Sequence, residues 1–387
     1  MAVRKFVERV EFAKGLEGAI TNESSVGYVD GDRGDLVYRG YSIYDLAEHS
    51  TFEESSYLLL FGKLPTQKEL DEFNKKLVGY RQIPGLTYDV LRLLPKTTHP
   101  MAAMRTAISS LGNADPDADK WDVEHYAEIG TKLIAQAPTV TAAIARLRKG
   151  LEPIAPDPNL SLAANLLYML NGEKPDETTA KVLDVCLVLH QDHEQNASTF
   201  TCMVVESSQS DIYSVVTGGI GSLKGPLHGG ANEQAITEIQ NVRRLGGVAK
   251  VPEYVKDAQS KGKRFMGFGH RVYKAYDPRA RILKKYADQL SSTPEDRELF
   301  DIAVAIEKQL EPYQERGIFP NVDFYSGIVY HSMGIERDMF TPLFVVGRMP
   351  GWVARVMEYL PENRLFRPRA IYIGEFDRQY MPIDQRK

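Results

Sequence analysis

Thr179-Ala180-Lys181-Val182-Leu183-Asp184-Val185-Cys186-Leu187-Val188-Leu189-His190-Gln191-Asp192-His193 carries apolar or small residues on nearly every side of a helical wheel until His190. A helix of this kind has no face to give to water and belongs inside a large helical body. Residues 162–170 read the same way, and helical periodicity dominates from residue 52 onward. Pro65-Thr66-Gln67-Lys68-Glu69 is a capping box opening a helix toward Gly79. Ala142, Ala145, Arg146 and Lys149 share a helix that Gly150 closes. After the acidic start Pro294-Glu295-Asp296, helical spacing returns at Leu299, Ile302, Ala303, Ile306 and Leu310. Strand alternation is confined to Ser25-Val26-Gly27-Tyr28-Val29 and Asp35-Leu36-Val37-Tyr38, which glycines break into hairpin-like pieces. The fold class is mainly α with a small N-terminal β element.

Composition limits the function classes. The 387 residues are 43% hydrophobic and 26% charged, which supports a large core and excludes global disorder. The longest apolar runs, such as Leu58-Leu59-Leu60-Phe61, fall far short of the roughly 18 residues a membrane span needs. The first eight residues lack the apolar region of a signal peptide. The two cysteines, Cys186 and Cys202, sit in apolar helical sequence, as expected of reduced thiols in the cytoplasm. Net charge is −5, yet residues 261–286 hold nine cations (Lys261, Lys263, Arg264, Arg271, Lys274, Arg279, Arg281, Lys284 and Lys285) against Asp277 alone. That segment is +8 and the remainder −13. A solvated basic face is one reading of it. Because Gly-Phe-Gly-His interrupts the run, a loop for a small phosphorylated ligand is the better one. The acidic remainder argues against nucleic acid.

Four groups of residues carry chemistry. His190-Gln191-Asp192-His193-Glu194 places two imidazoles and a carboxylate close together on the expected helix. Core histidines, ligand contacts and a metal site all remain open there, although the order is neither zinc-helix pattern. Gly225-Pro226-Leu227-His228-Gly229-Gly230 precedes a helix whose dipole would keep His228 neutral, as an electrophilic donor toward a carbonyl. A helix cap is its plain alternative. Gly267-Phe268-Gly269-His270-Arg271 sets a histidine within the cationic loop. Asn321-Val322-Asp323-Phe324-Tyr325 offers a carboxylate that either caps a helix or acts as a general base.

Taken in order, His190 to Phe200, Gly225 to Asn232, Gly267 to Arg279 and Asn321 to Gly327 closely resemble the citrate synthase family, in its short, dimeric, bacterial-like form. The likeness runs from Tyr38-Arg39-Gly40-Tyr41 through His99-Pro100-Met101 to Arg378-Gln379-Tyr380-Met381-Pro382. It implies a two-domain helical homodimer, with residues 1–227 and 335–387 in a large domain and 228–334 in a small domain that closes over the site. It implies that Asp323 takes a proton from acetyl-CoA, His228 stabilises the enol(ate), and His270 polarises the oxaloacetate ketone. Arg279, Arg348 and Arg367 would hold the oxaloacetate carboxylates, Arg367 coming from the partner subunit. His193 would also touch oxaloacetate, with His190 supporting it. Arg264, Phe265, Met266, Gly267, Phe268 and Lys274 would hold CoA. No cofactor or metal is implied, acetyl-CoA being a substrate, and neither nucleic acid nor membrane is a partner.

The sequence departs from the family pattern at Arg355, where many relatives carry histidine, and at Val346-Gly347. The likeness to the short form leads us to expect neither a regulatory domain ahead of the core nor inhibition by NADH through one. The resemblance leaves two alternatives: 2-methylcitrate synthase acting on propionyl-CoA, and a non-catalytic acyl-CoA-binding protein. A metal hydrolase is a more distant one.

Overall fold

Glycine-broken alternation near the start of the chain gives an antiparallel sheet ordered β1 (Gly27–Asp30), β2 (Asp35–Tyr38) and β3 (Tyr41–Ser42). Gly27 stands opposite Tyr38 and Val37 opposite Ser42. The structure is a computed structural model describing residues 13–386. After the sheet, the longer elements among the described residues are helices: α1 (Ile43–His49), α2 (Phe52–Phe61), α3 (Gln67–Tyr80), α4 (Gly85–Leu93), α5 (Pro100–Asn113) and α6 (Val123–Arg148). Next come α7 (Leu162–Asn171), α8 (Glu177–His190), α9 (Ala197–Glu206), α10 (Ile212–Leu223) and α11 (Ala231–Gly246). The last five are α12 (Val251–Ser260), α13 (Pro278–Leu290), α14 (Pro294–Leu310), α15 (Val322–Ser332) and α16 (Phe340–Tyr359). Helix thus begins at Ile43, ahead of residue 52, where periodicity first makes it visible.

Local signals set the helix ends. Thr66 accepts the Glu69 N–H while Glu69 reaches back to the Thr66 N–H, completing the expected capping box on α3. Gly150 follows α6 in the left-handed region at φ 74°. Asp176, Asn196, Asp277 and Asn321 begin α8, α9, α13 and α15 by accepting first-turn N–H groups. The last three stand at the edges of motifs that carry chemistry.

The core is built around α16. Every residue from Phe340 to Met357 is buried, and the helix packs against α2, α6, α8, α9 and α10. Where α16 crosses the end of α8, its Gly351 meets backbone: an added Cβ would lie 1.9 Å from the Gln191 carbonyl oxygen. Gly351→Ala should therefore lower stability by about 1–3 kcal/mol despite alanine's better helix propensity. Urea unfolding reads this directly, and a midpoint no lower than the parent's would contradict so close an approach.

Ser24–Arg364 forms one compact unit, which contains all these elements. The chain ends form a second, in which residues 13–23 and 365–386 hold only the short turns Lys14–Leu16 and Ile383–Gln385. Arg367 lies in this second unit and is exposed. Among the described residues no helix is long and apolar enough to cross a membrane.

Candidate active site

The decisive helix stops sooner than its sequence suggests. α8 ends at His190, Gln191 caps it, and Glu194 takes a left-handed φ of 50°. His193 is therefore not one helical turn beyond His190 but on a separate, tightly bent segment. The break arises because Gly351 lets the 191–192 backbone lie on α16, and Tyr38 binds the Asp192 peptide groups. The Tyr38 hydroxyl accepts the Asp192 N–H at 3.3 Å and lies 3.2 Å from the Asp192 carbonyl.

His190 Nδ1 donates to the Cys186 carbonyl at 2.6 Å, so its Nε2 is the bare nitrogen; that atom is buried without a partner among the described residues. Burial pushes this imidazole down to about 3. His193 Nε2 is likewise buried and unpartnered. Burial first, then the charges of Arg279, His270 and Arg348, hold its ring neutral. Among the described residues no group of three or more His, Cys, Asp and Glu side chains is arranged to hold a metal ion.

Arg348, in the middle of α16, is 1% exposed. Its Nε donates to the His190 carbonyl at 2.6 Å, and Nη1 has no partner. No carboxylate pairs with it among the described residues, and burial lowers its pKa to about 10, still well above neutral pH. A buried cation without a counter-ion is costly, and an anionic ligand would remove the cost.

His228 lies between α10 and α11. Gly230 is the residue that caps α11, so His228 stands ahead of that helix. Its Nε2 instead accepts the Ser198 N–H at 3.2 Å, one of the free first-turn donors of α9. The proton of a neutral ring must then sit on Nδ1. Burial, followed by the charge of Arg348, pushes the imidazole down to about 4. The expected neutral donor is present, but its nitrogen rests on α9 and not on its own helix. The Ser198 hydroxyl lies 2.8 Å from the same nitrogen and accepts the Trp352 indole N–H at 3.2 Å.

The cationic loop is joined to the start of α15. The Gly269 N–H donates to the Phe319 carbonyl and the Asn321 N–H to the Gly267 carbonyl, both at 2.8 Å. The Asn321 amide donates to the Gly269 carbonyl at 2.9 Å. Gly267 has φ 79°, and an added Cβ would lie 2.8 Å from Phe324 Cα, so only glycine allows this approach. His270 Nδ1 receives the N–H groups of both Val272 and Tyr273, at 3.0 and 3.1 Å. Its proton is thereby placed on Nε2. Burial, then Arg279, lowers its pKa to about 4. The His270 and His193 rings are 5.0 Å apart.

Asn321 is the cap of α15, which frees Asp323 from that role. Asp323 Oδ1 is buried and unpartnered, and burial raises the carboxyl to about 7. Arg279, 2% exposed, gives its Nε and Nη2 to Asp277 at 3.0 and 2.8 Å. One edge of that guanidinium is therefore occupied. Asp277 also accepts the Arg279 and Val322 N–H groups, so a single carboxylate joins the starts of α13 and α15.

Of the nine cations in 261–286, four are paired: Lys261 with Asp257, Lys263 with Glu238, Arg279 with Asp277 and Lys284 with Glu307. Arg264, Arg271, Lys274, Arg281 and Lys285 have no ion-pair partner among the described residues. Arg264 and Lys274 are exposed, while Phe265, Met266 and Phe268 are half-buried beside them. The Met266 N–H donates to Glu238 at 3.3 Å.

The family described as "Citrate synthase, C-terminal domain" matches residues 15–369. A citrate synthase of Haloferax volcanii is 46% identical, covering 97% of this chain and 99% of its own. The chain belongs to the citrate synthase family. A 2-methylcitrate synthase 2 of Corynebacterium glutamicum is 40% identical over 96% of this chain and 97% of its own. Among solved structures, the citrate synthase of Thermoplasma acidophilum, in a ternary complex of carboxymethyl coenzyme A and oxaloacetate, superposes with a TM-score of 0.93. It is 36% identical and covers 97% of this chain and 100% of its own.

Within this citrate synthase fold, His190, His193, His228, His270, Arg279, Asp323 and Arg348 all lie in the compact unit, as does the loop from Arg264 to Lys274. Arg367 lies in the other unit. Sequence reasoning assigns nothing to Ser198, Asp277 or Asp192, which support His228, Arg279 and the His193 segment. Asp-Pro at 277–278 is a legible helix start. Ser198 meets His228 through its N–H as well as its hydroxyl, and no side-chain pattern reveals the N–H.

Proposed function

We propose that the chain condenses acetyl-CoA with oxaloacetate and water to give citrate and CoA, as a cytoplasmic homodimer. The observation that carries this is a set of buried polar atoms without a partner among the described residues: His190 Nε2, His193 Nε2, Asp323 Oδ1 and Arg348 Nη1. Folded proteins satisfy more than about 90% of such groups, so these orphans on candidate site residues call for a polar ligand. The family supplies one of matching charge, a dianion for Arg348 and the free edge of Arg279.

In this reading His193, Arg279 and Arg348 hold oxaloacetate, His190 supports them, and Arg367 of the partner subunit completes the clamp. His270 directs its Nε2–H at the ketone. Arg264, Phe265, Met266, Gly267, Phe268 and Lys274 hold CoA. Asp323, as the carboxylate, takes a methyl proton while His228 Nδ1–H binds the thioester oxygen, where negative charge develops. The methyl carbon then bonds to the ketone carbon, whose oxygen gains the charge that His270 stabilises. Water cleaves the resulting citryl thioester to citrate and CoA. Residues 228–334 act as the small domain that closes on 1–227 and 335–387, excluding water until the carbon–carbon bond has formed.

The 40% identical 2-methylcitrate synthase keeps a second acyl donor in view. Release of CoA thiol with oxaloacetate should be faster with acetyl-CoA than with propionyl-CoA, by about 10–200-fold in kcat/KM, the discrimination one methylene allows. The reverse preference would make the chain a methylcitrate synthase with the same catalytic groups. Release with neither acyl-CoA, in folded protein that binds CoA, would overturn the enzyme reading.

A further inference from the structure

Arg355 occupies the same stripe of α16 as Arg348, two turns later. It is 3% exposed, and its Nε and Nη2 grip the two Asp192 carboxylate oxygens at 3.0 and 2.7 Å. Its remaining hydrogen bonds go to the Ser24 hydroxyl at 2.7 Å and the Gly27 carbonyl at 3.0 Å. Asp192 is fully buried, and its Oδ2 also accepts the Glu194 N–H at 3.1 Å. The carboxylate therefore closes the chain on both sides of His193, since residue 192 carries it and residue 194 binds it. Glu194 is the residue with φ 50°, a conformation unfavourable without glycine, and its own carboxylate accepts the Val29 N–H at 2.9 Å. Among the described residues the His193 ring leaves its Nε2 unpartnered, and it rests against His270 and Tyr273, at 5.0 and 5.3 Å.

We propose that the Arg355–Asp192 ion pair is a positioning device that locks the bend at 191–194 and so aims His193 at oxaloacetate. α16 would then act as a template, with Arg348 fixing the carbonyl of His190 and Arg355 fixing Asp192. The inference rests on the reading of His193 as an oxaloacetate contact. Arg355 spends its hydrogen bonds on Asp192, Ser24 and Gly27, so the role assigned to it is positioning and not catalysis.

Removing Arg355 alone would strand a buried carboxylate and threaten the fold. The informative variant neutralises both partners, Asp192→Asn with Arg355→Gln. Arg355→Lys is its conservative companion, keeping the charge but losing the two-pronged grip. His193→Gln serves as the reference. Steady-state kinetics on the full chain, with thermal unfolding alongside, should show the oxaloacetate KM of the double variant raised about tenfold to a hundredfold. The acetyl-CoA KM should stay within about twofold, and Arg355→Lys should fall in between.

An unchanged oxaloacetate KM in the folded double variant, with His193→Gln raising it, would overturn the positioning role and leave the reading of His193 intact. An unchanged KM in His193→Gln itself would remove that reading and the inference with it. A fall in melting temperature with both KM values unmoved would mark the pair as structural only and overturn the proposal. If the double variant does not fold, Arg355→Lys decides on the same split between the two KM values.

Discussion

Replacing Asp323 with asparagine should lower kcat by about 10²–10⁴-fold, the usual worth of a positioned general base, while oxaloacetate binding persists. The effect is large because a thioester α-proton is only weakly acidic and no other free carboxylate in the described site is placed to take it. Turnover in the parent should rise as pH climbs through about 7, where burial has brought the Asp323 carboxyl. Stability should respond in the opposite sense. Between pH 3.8 and about 7 the folded chain keeps a proton on Asp323 that the unfolded chain has released, so this group's contribution weakens as pH rises through that window. Above about pH 7 the folded state bears the whole cost of a buried charge. An amide in its place would not ionise, so Asp323→Asn should melt higher than the parent at about pH 8, with the advantage shrinking toward about pH 5. Calorimetry at the two pH values checks the second half of this expectation, and single-turnover assays the first. A variant with near-normal kcat would dismiss Asp323 as the base.

Replacing His228 with alanine should lower kcat by about 10²–10³-fold, the value of one preorganised donor at a developing oxyanion. The acid limb of the pH profile should survive. His228 titrates near 4, so it is already neutral wherever Asp323 is ionised, and the limb near 7 belongs to Asp323. Loss of that limb in His228→Ala would reverse the two assignments. The acetyl-CoA KM should move little, because the hydrogen bond reaches full strength only when charge develops on the oxygen.

Much of this is legible in the sequence because it depends on local rules. An all-round apolar helix can only be buried, and the stretch from Val182 to His190 is buried. Thr66 and Glu69 announce a capping box at their proper spacing. The histidines, Asp323 and Arg348 sit in motifs long enough to resemble a family, and all of them lie in the compact unit. Two readings fail for tertiary reasons. The helix expected to continue through His193 breaks at His190, because Gly351, far along the chain, draws the 191–192 backbone onto α16. The neutral state of His228 is credited by sequence to α11, whereas burial, Arg348 and a donor at the start of α9 bring it about. Arg355 reads as a departure from the family pattern that bears on local packing and assembly more than on the reaction, and its ion pair is not legible in the sequence. Its partner Asp192 lies far away in sequence, and no spacing rule joins them.

The proton positions on the two histidines proposed to be catalytic are written in main-chain atoms. Ser198 N–H makes Nε2 of His228 the bare nitrogen, and the N–H groups of Val272 and Tyr273 do the same for Nδ1 of His270. A peptide N–H survives every amino-acid replacement except proline. The side chains at 272 and 273 can therefore change without removing the amides that hold the His270 proton on Nε2, and Ser198 keeps its N–H toward His228 whatever replaces its hydroxyl. Errors in the gene can dull this site by displacing its histidines, but only a proline at one of these positions removes an amide that sets a tautomer.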